Sequence, residues 1–196
     1  MREGVFMNML NKTKAIVAAT ALAAAVFGCS GELTDNGSPV ELVVTNSQTI
    51  SQIDLAGGTG CTGTLGTINM QVIPKNSSAS SDFTQVRVTR YRVSYQRTDG
   101  GTQVPNSFVR STDQLLSVGA SAAALSSFTI IESDAVNQAP FVALLPINGG
   151  RDPVTQRPVV KMDVIVEIFG ETLGGDRVYD ATRFPLDFCY QCNGCQ

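Results

Sequence analysis

The sequence predicts an all-β fold, a two-layer antiparallel β-sandwich preceded by an export signal. Three observations predict it. Short segments alternate apolar and polar residues with a period of two. Glycine-rich turns separate several of them. No amphipathic helix of twelve residues occurs after the N-terminal apolar run.

In chain order, Glu41–Thr45 and Thr49–Leu55 read as the first two strands. Leu65–Ile73 follows, with Ile68, Met70 and Val72 on one face and Thr67, Asn69 and Gln71 on the other. Thr84–Arg97 is a long strand with a phase change. Val86 and Val88 share one parity, whereas Tyr91, Val93 and Tyr95 share the other. A one-residue slip would turn the second set outward, so a bulge or break is expected near Thr89–Arg90. Asp99-Gly100-Gly101 reads as a hairpin connection. Gln103–Arg110, Leu115–Val118 and Ser127–Glu132 are further strand candidates, and Gly119–Ala124 fits either a short helix or none. Ser133–Ala139 reads as one helical turn capped by Ser133. Gly149–Pro158 reads as a loop.

Two strands close the pattern. Lys161–Phe169 sets Met162, Val164, Val166 and Ile168 on one face and Lys161, Asp163 and Glu167 on the other. Arg177–Tyr190 sets Val178, Phe184, Leu186, Phe188 and Tyr190 in a single parity. Gly170–Asp176 supplies the turn between them. Pro185 predicts an edge or irregular final strand, because proline cannot donate to a ladder. Seven to nine short strands with such turns fit a two-layer antiparallel sandwich. No internal repeat is visible.

The N-terminus has its own logic. Lys12 and Lys14 precede Ala15–Phe27, thirteen uncharged residues. A basic head, a short apolar run and small residues at the cut site describe a secretory signal. A spanning helix needs about 20 apolar residues, so the run is too short to remain in a membrane. Met7 or Met9 serves as a start as well as Met1, since Met1–Phe6 adds nothing a signal needs. The expected organisation is residues 1–28 as signal peptide, 29–39 as anchor and tether, and 40–196 as the β-domain with a cysteine-rich tail.

Val26-Phe27-Gly28-Cys29 resembles the lipobox of bacterial lipoproteins: an aliphatic residue, a variable one, a small one, then cysteine. The resemblance implies that the Cys29 thiol carries a diacylglyceryl group and that the amine freed by cleavage is acylated. Several acyl chains hold stably where one anchors only marginally. Ser30, in place of the aspartate that tends to retain such proteins in the inner membrane, implies outer-membrane sorting. The segments YRVSYQRTDGG, VIVEIFGETLGGDRV and FPLDF look like immunoglobulin-like or fibronectin-like domains of bacterial surface lipoproteins. That resemblance spans Leu65–Tyr190 and concerns architecture alone, because the paired cysteines and core tryptophan of antibody domains are missing.

Composition narrows the chemistry. The 196 residues are 43% hydrophobic and 16% charged, a globular rather than a disordered balance. Without Arg2, Glu3, Lys12 and Lys14, 11 basic and 16 acidic residues remain, a net charge of −5. This balance gives no argument for nucleic-acid binding. There is no histidine. A Ser-His-Asp or Cys-His nucleophile and a histidine-ligated metal are thereby excluded. No Gly-x-Ser-x-Gly elbow occurs, and Gly57-Gly58-Thr59-Gly60 lacks the lysine of a phosphate loop. No Asp-x-Asp-x-Asp-Gly calcium loop is present. Glu132 and Asp134 are a candidate carboxylate pair, but turn and surface roles suit them better.

The remaining chemistry lies in cysteine. CYQCNGCQ places Cys189, Cys192 and Cys195 at regular spacing, and Cys61 stands far upstream. In an exported protein the four thiols outside the anchor are expected to form two disulfides. Three pairings are possible, and a bond from Cys61 to one of the terminal three is favoured. The competing readings are a thiolate metal site and a redox Cys-x-x-Cys, which normally opens a helix. Arg90 and Arg92, with Arg87 and Arg97 on the same strand, form a weak anion-binding candidate, or else a solvated face that discourages edge pairing.

These readings combine into one expectation: a non-catalytic, lipid-anchored envelope protein needing no cofactor. It meets the membrane through Cys29 and a surface or envelope partner through its β-domain. The alternatives are a redox or metal-binding lipoprotein using Cys61, Cys189, Cys192 and Cys195, and a glycan or small-ligand binder.

Overall fold

The computed structural model describes residues 37–47, 51–56, 67–76, 81–126 and 128–192. The expected signal peptide, Cys29, most of the tether, Cys61 and Cys195 lie outside the described residues.

Among the described residues the fold is all-β, with eight strands in two sheets and no α-helix. The strands are β1 (Val40–Ser47), β2 (Gln52–Asp54), β3 (Thr67–Pro74), β4 (Val86–Arg97), β5 (Phe108–Leu116), β6 (Ala123–Ala124), β7 (Val159–Thr172) and β8 (Arg177–Cys189). One sheet has the order β1-β3-β6. The other has the order β2-β8-β7-β4-β5 and curls into a half-barrel.

The period-two pattern reports the inner faces faithfully. Val40 and Leu42 of β1, Ile68, Met70 and Val72 of β3, and Met162, Val164, Val166 and Ile168 of β7 are at most 2% exposed. They share one core with Val86, Val88, Tyr91 and Val93 of β4 and Phe184, Leu186 and Phe188 of β8. Burying each such side chain stabilises the fold by about 1.5–3 kcal/mol.

The phase change in β4 is a bulge at Thr89. Val88 pairs with Gly170 and Arg90 with Phe169, so two steps on β4 oppose one on β7. The β4–β5 register shifts at the same place. Val86 and Val88 before the bulge and Tyr91, Val93 and Tyr95 after it consequently all face the core.

Several expectations are corrected. Asp99-Gly100-Gly101 does not close a tight hairpin; β5 begins only at Phe108. Gln103–Arg110 and Leu115–Val118 are not separate strands. β5 joins the end of the first to the start of the second. It is an edge strand, exposed over Val109–Ser111, so no alternation marks it. Ser127–Glu132 was expected as a strand, but its described residues, Phe128–Glu132, are irregular. Ile130 is nonetheless buried. Two tyrosines of β4 replace the missing ladder: the Tyr95 hydroxyl donates to Ile130 O (2.6 Å), and the Tyr91 hydroxyl accepts from Thr129 N (3.2 Å). The helical turn after Ser133 is a 3-10 turn, Ala135–Asn137, whose N-cap is Asp134. The final strand is regular through Pro185, with β2 alongside it only over Asp187–Cys189. That β2 pairing is parallel, against the fully antiparallel expectation.

The two ends of the molecule differ. Val44 N donates to Asp180 Oδ2 (2.6 Å) and Asn46 Nδ2 to Thr182 Oγ1 (2.8 Å). β1 therefore runs beside β8 in the same direction, and its first residue comes level with the β7–β8 turn. The chain thus enters at the end that carries that turn. The opposite end carries residues 98–107, the loop and 3-10 turns between Glu132 and Pro158, and the Cys189–Cys192 tail.

Candidate functional site

The end remote from chain entry is organised around one buried cation. Arg97, the last residue of β4, donates through Nε and Nη2 to both oxygens of Asp99 (2.7 and 2.9 Å). Its Nη1 donates to Asp152 Oδ1 (3.1 Å) and Gln103 O (3.0 Å). The Arg97 side chain is 4% exposed and both carboxylates are 0% exposed. One guanidinium thus ties the strand end to two loops, residues 98–107 and the segment around Asp152. A Cβ at Gly101 would lie 2.1 Å from the Arg97 carbon Cζ, so glycine is needed for the approach.

The carboxylates are held from several sides. Asp99 accepts from Lys161 N (3.0 Å) and Gly101 N (3.1 Å). Asp152 Oδ2 accepts from Val154 N, Thr155 N and Thr155 Oγ1 (3.2, 2.8 and 2.9 Å), closing the turn that follows it. Burial by itself would raise the Asp99 carboxyl. The Arg97 guanidinium and the two backbone N–H groups outweigh burial and hold it down at about 2. Asp152 is lowered in the same way: burial pushes it up, and Arg97 and Thr155 more than offset that. Arg97 itself is raised, the two carboxylates overcoming the cost of burial.

The rigid loops expose apolar side chains. Ile147 is 90% exposed, Val154 50% and Val104 40%. Phe141 and Leu144 of the neighbouring 3-10 turn point inward, with the Phe141 ring 5.0 Å from that of Phe188. The loops therefore sit on the core and present their tips outward.

The cysteine tail lies at the same end. Cys189 and Cys192 are bonded to each other. Cys61 and Cys195 lie outside the described residues. The buried Asp54 carboxylate accepts from Gln191 N and Cys192 N (2.9 Å each) and pins the tail to β2. The pair ends a strand and opens no helix.

Arg90 and Arg92 lie on the outer face of the half-barrel, away from this end. Arg92 is engaged by Glu167 through both oxygens, and Tyr179 Oη also donates to Glu167 (3.2 Å). The hydrogen bond from Arg92 chiefly lowers the Glu167 carboxyl, against burial. The Arg90 guanidinium sits 4.9 Å from the centre of the Phe169 ring. Glu132 pairs with Arg110 (2.8 Å), and Asp134 accepts from Gln138. A shallow open groove beside the Arg87–Asp113 ion pair carries no histidine or cysteine. Among the described residues, no group of three His, Cys, Asp or Glu side chains is arranged to hold a metal.

Sequence reasoning missed Arg97, Asp99 and Asp152 as a unit. Arg97 read as one of four basic residues on a strand, and Asp99 as a turn residue. Asp152-Pro153-Val154-Thr155 carries a usable signal, since aspartate before proline favours turn initiation. No spacing rule links it to Arg97, 55 residues earlier. Comparison with known protein families, curated proteins and solved structures finds no match to this chain.

Proposed function

We propose that this protein is a non-catalytic envelope module, an immunoglobulin-like β-sandwich held to the outer membrane by lipid on Cys29. It works by placement. Cys29 anchors, the residues up to Pro39 space, and the remote loop end meets a protein partner. The observation that supports this reading is polarity: chain entry and the Arg97-braced loops lie at opposite ends of one rigid β-structure. With about 3.3 Å per strand residue, β8 alone separates the two ends by roughly 40 Å. The eight residue steps from Cys29 to Gly37 reach at most about 29 Å fully extended. Such a tether keeps the entry end toward the bilayer and the loops away from it. The Cys189–Cys192 bond supports structural disulfides over a four-thiolate metal site.

The test is fractionation of Cys29→Ser against the native chain, with intact mass. The native protein is expected in the membrane fraction with the mass of an acylated Cys29, and the variant in the soluble fraction. An unmodified Cys29 in a freely released product would overturn the proposal. Photo-crosslinking from Ile147 and Val154 is then expected to capture the partner, and crosslinking from outer-face positions such as Val109 is not.

A further inference from the structure

We infer that the entry end of the domain is itself a lipid-contacting surface, with Phe83 and Leu173 dipping into the bilayer face to which the chain is tethered. This rests on the anchoring reading above and adds an orientation to it.

Among the described residues, four of the exposed large apolar side chains lie at that end. Phe83 is 72% exposed, Leu115 54%, Leu173 50% and Ile73 41%. Register sets Leu115 and Ile73 at this end, on different sheets. Leu115 pairs with Arg87 at the start of β4, and Ile73 pairs with Glu41 at the start of β1. Leu173 N donates to Gln85 O and Gly174 N to Phe83 O (2.9 Å each), which ties the β7–β8 turn to the segment before β4. Pro39 O accepts from Lys75 N (3.0 Å), so the chain leaves the fold at the same end, beside the last residues of β3.

Phe83 is presented, not merely uncovered. It is the middle residue of a 3-10 turn, Asp82–Thr84. Ser81 N donates to Thr84 Oγ1 (3.1 Å), and that hydroxyl donates back to Ser81 O (2.6 Å). The buried Thr84 and the bond from Gly174 fix the backbone while the ring stands outward. A clamped backbone carrying an aromatic ring in water costs free energy that an apolar neighbour would recover.

Charge selects the kind of surface. Lys75, Arg87 and Arg177 near this end are outnumbered by Glu41, Asp82, Asp113, Glu171 and Asp176. An acidic rim is repelled by anionic headgroups, so the contact is with the apolar boundary of a zwitterionic leaflet. The tether supplies the occupant. It is shorter than the domain is long, so the bilayer is the surface held nearest to Phe83.

The chain contains no tryptophan, which permits a direct test. Full-length, acylated Phe83→Trp and Ile147→Trp proteins are reconstituted into phosphatidylethanolamine–phosphatidylcholine vesicles with and without brominated acyl chains. Trp emission at position 83 is expected to shift to the blue and to be quenched several-fold by the brominated lipid, while position 147 stays unquenched. Leu173→Trp is expected to behave as position 83 and serves if the first variant folds poorly. Equal quenching at both ends, or none at 83 and 173 in protein that is acylated and vesicle-bound, would overturn the orientation and leave the anchor standing. A blue shift that needs no vesicles and grows with protein concentration would overturn it in favour of a second copy of this chain. A mature protein without acyl groups that stays off the vesicles would overturn both readings.

Discussion

Arg97→Met isolates the electrostatic brace of the remote loops. Methionine keeps most of the buried stem and removes the guanidinium shared by Asp99 and Asp152, both 0% exposed. Removing one partner from a buried ion pair costs about 3–5 kcal/mol, because the remaining charge stays desolvated. For a chain of this size each kcal/mol moves Tm by about 2–4 °C, so a fall of roughly 10 °C is expected at pH 7. The pH dependence carries a sign that packing loss alone lacks. In the native protein Asp99 lies at about 2, below its ordinary 3.8. A depressed carboxyl contributes stability above the unfolded pKa and loses it as pH falls through about 2, roughly 2 kcal/mol in all. In the variant the guanidinium no longer opposes burial, and the carboxyl pair rises. A raised group favours the fold at low pH and ceases to do so as pH climbs through its folded value. The Tm gap between native and variant protein is therefore widest at pH 7 and narrows by pH 4. Thermal melts followed by circular dichroism at the two pH values read both quantities. A loss under about 2 °C at pH 7, or a gap of equal size at pH 4, would refute the reasoning.

Three further outcomes follow from the packing. Tyr95→Phe leaves the buried Ile130 carbonyl without its donor and is expected to cost about 1–3 kcal/mol; urea unfolding measures this, and limited proteolysis reads earlier cleavage near Phe128–Glu132. In the native protein, burial and, secondarily, the Glu132 charge raise the Tyr95 phenol above its ordinary value. Spectrophotometric titration is accordingly expected to show the Tyr95 phenol, identified by its absence from the Tyr95→Phe trace, ionising only as the fold is lost. Gly170→Ala places a Cβ 2.9 Å from Val86 Cγ1 and 3.0 Å from Arg87 O, opposite the bulge, and overpacking of that kind costs about 1–3 kcal/mol by chemical denaturation. Replacing Cys189 and Cys192 together by serine removes a bond that closes a very short loop, worth roughly 2 kcal/mol in the chain-entropy model. A Tm drop of only a few degrees, with unchanged spectroscopic signature, is the expected result.

The sequence by itself determined the all-β class, the inner faces of β3, β4, β7 and β8, and the bulge at Thr89. Each of these follows from a period-two count that one buried face imposes on a strand, and the bulge is the point where that count must be reset. It did not determine β5, whose exposed edge position removes the alternation that would mark it. Nor did it determine the course of Phe128–Glu132, where two tyrosine hydroxyls stand in for a strand partner. The Arg97–Asp99–Asp152 brace was decided by tertiary structure alone. Its members come from a strand end and two loops, and a charge reads as surface until the chain's return path shows that it is enclosed.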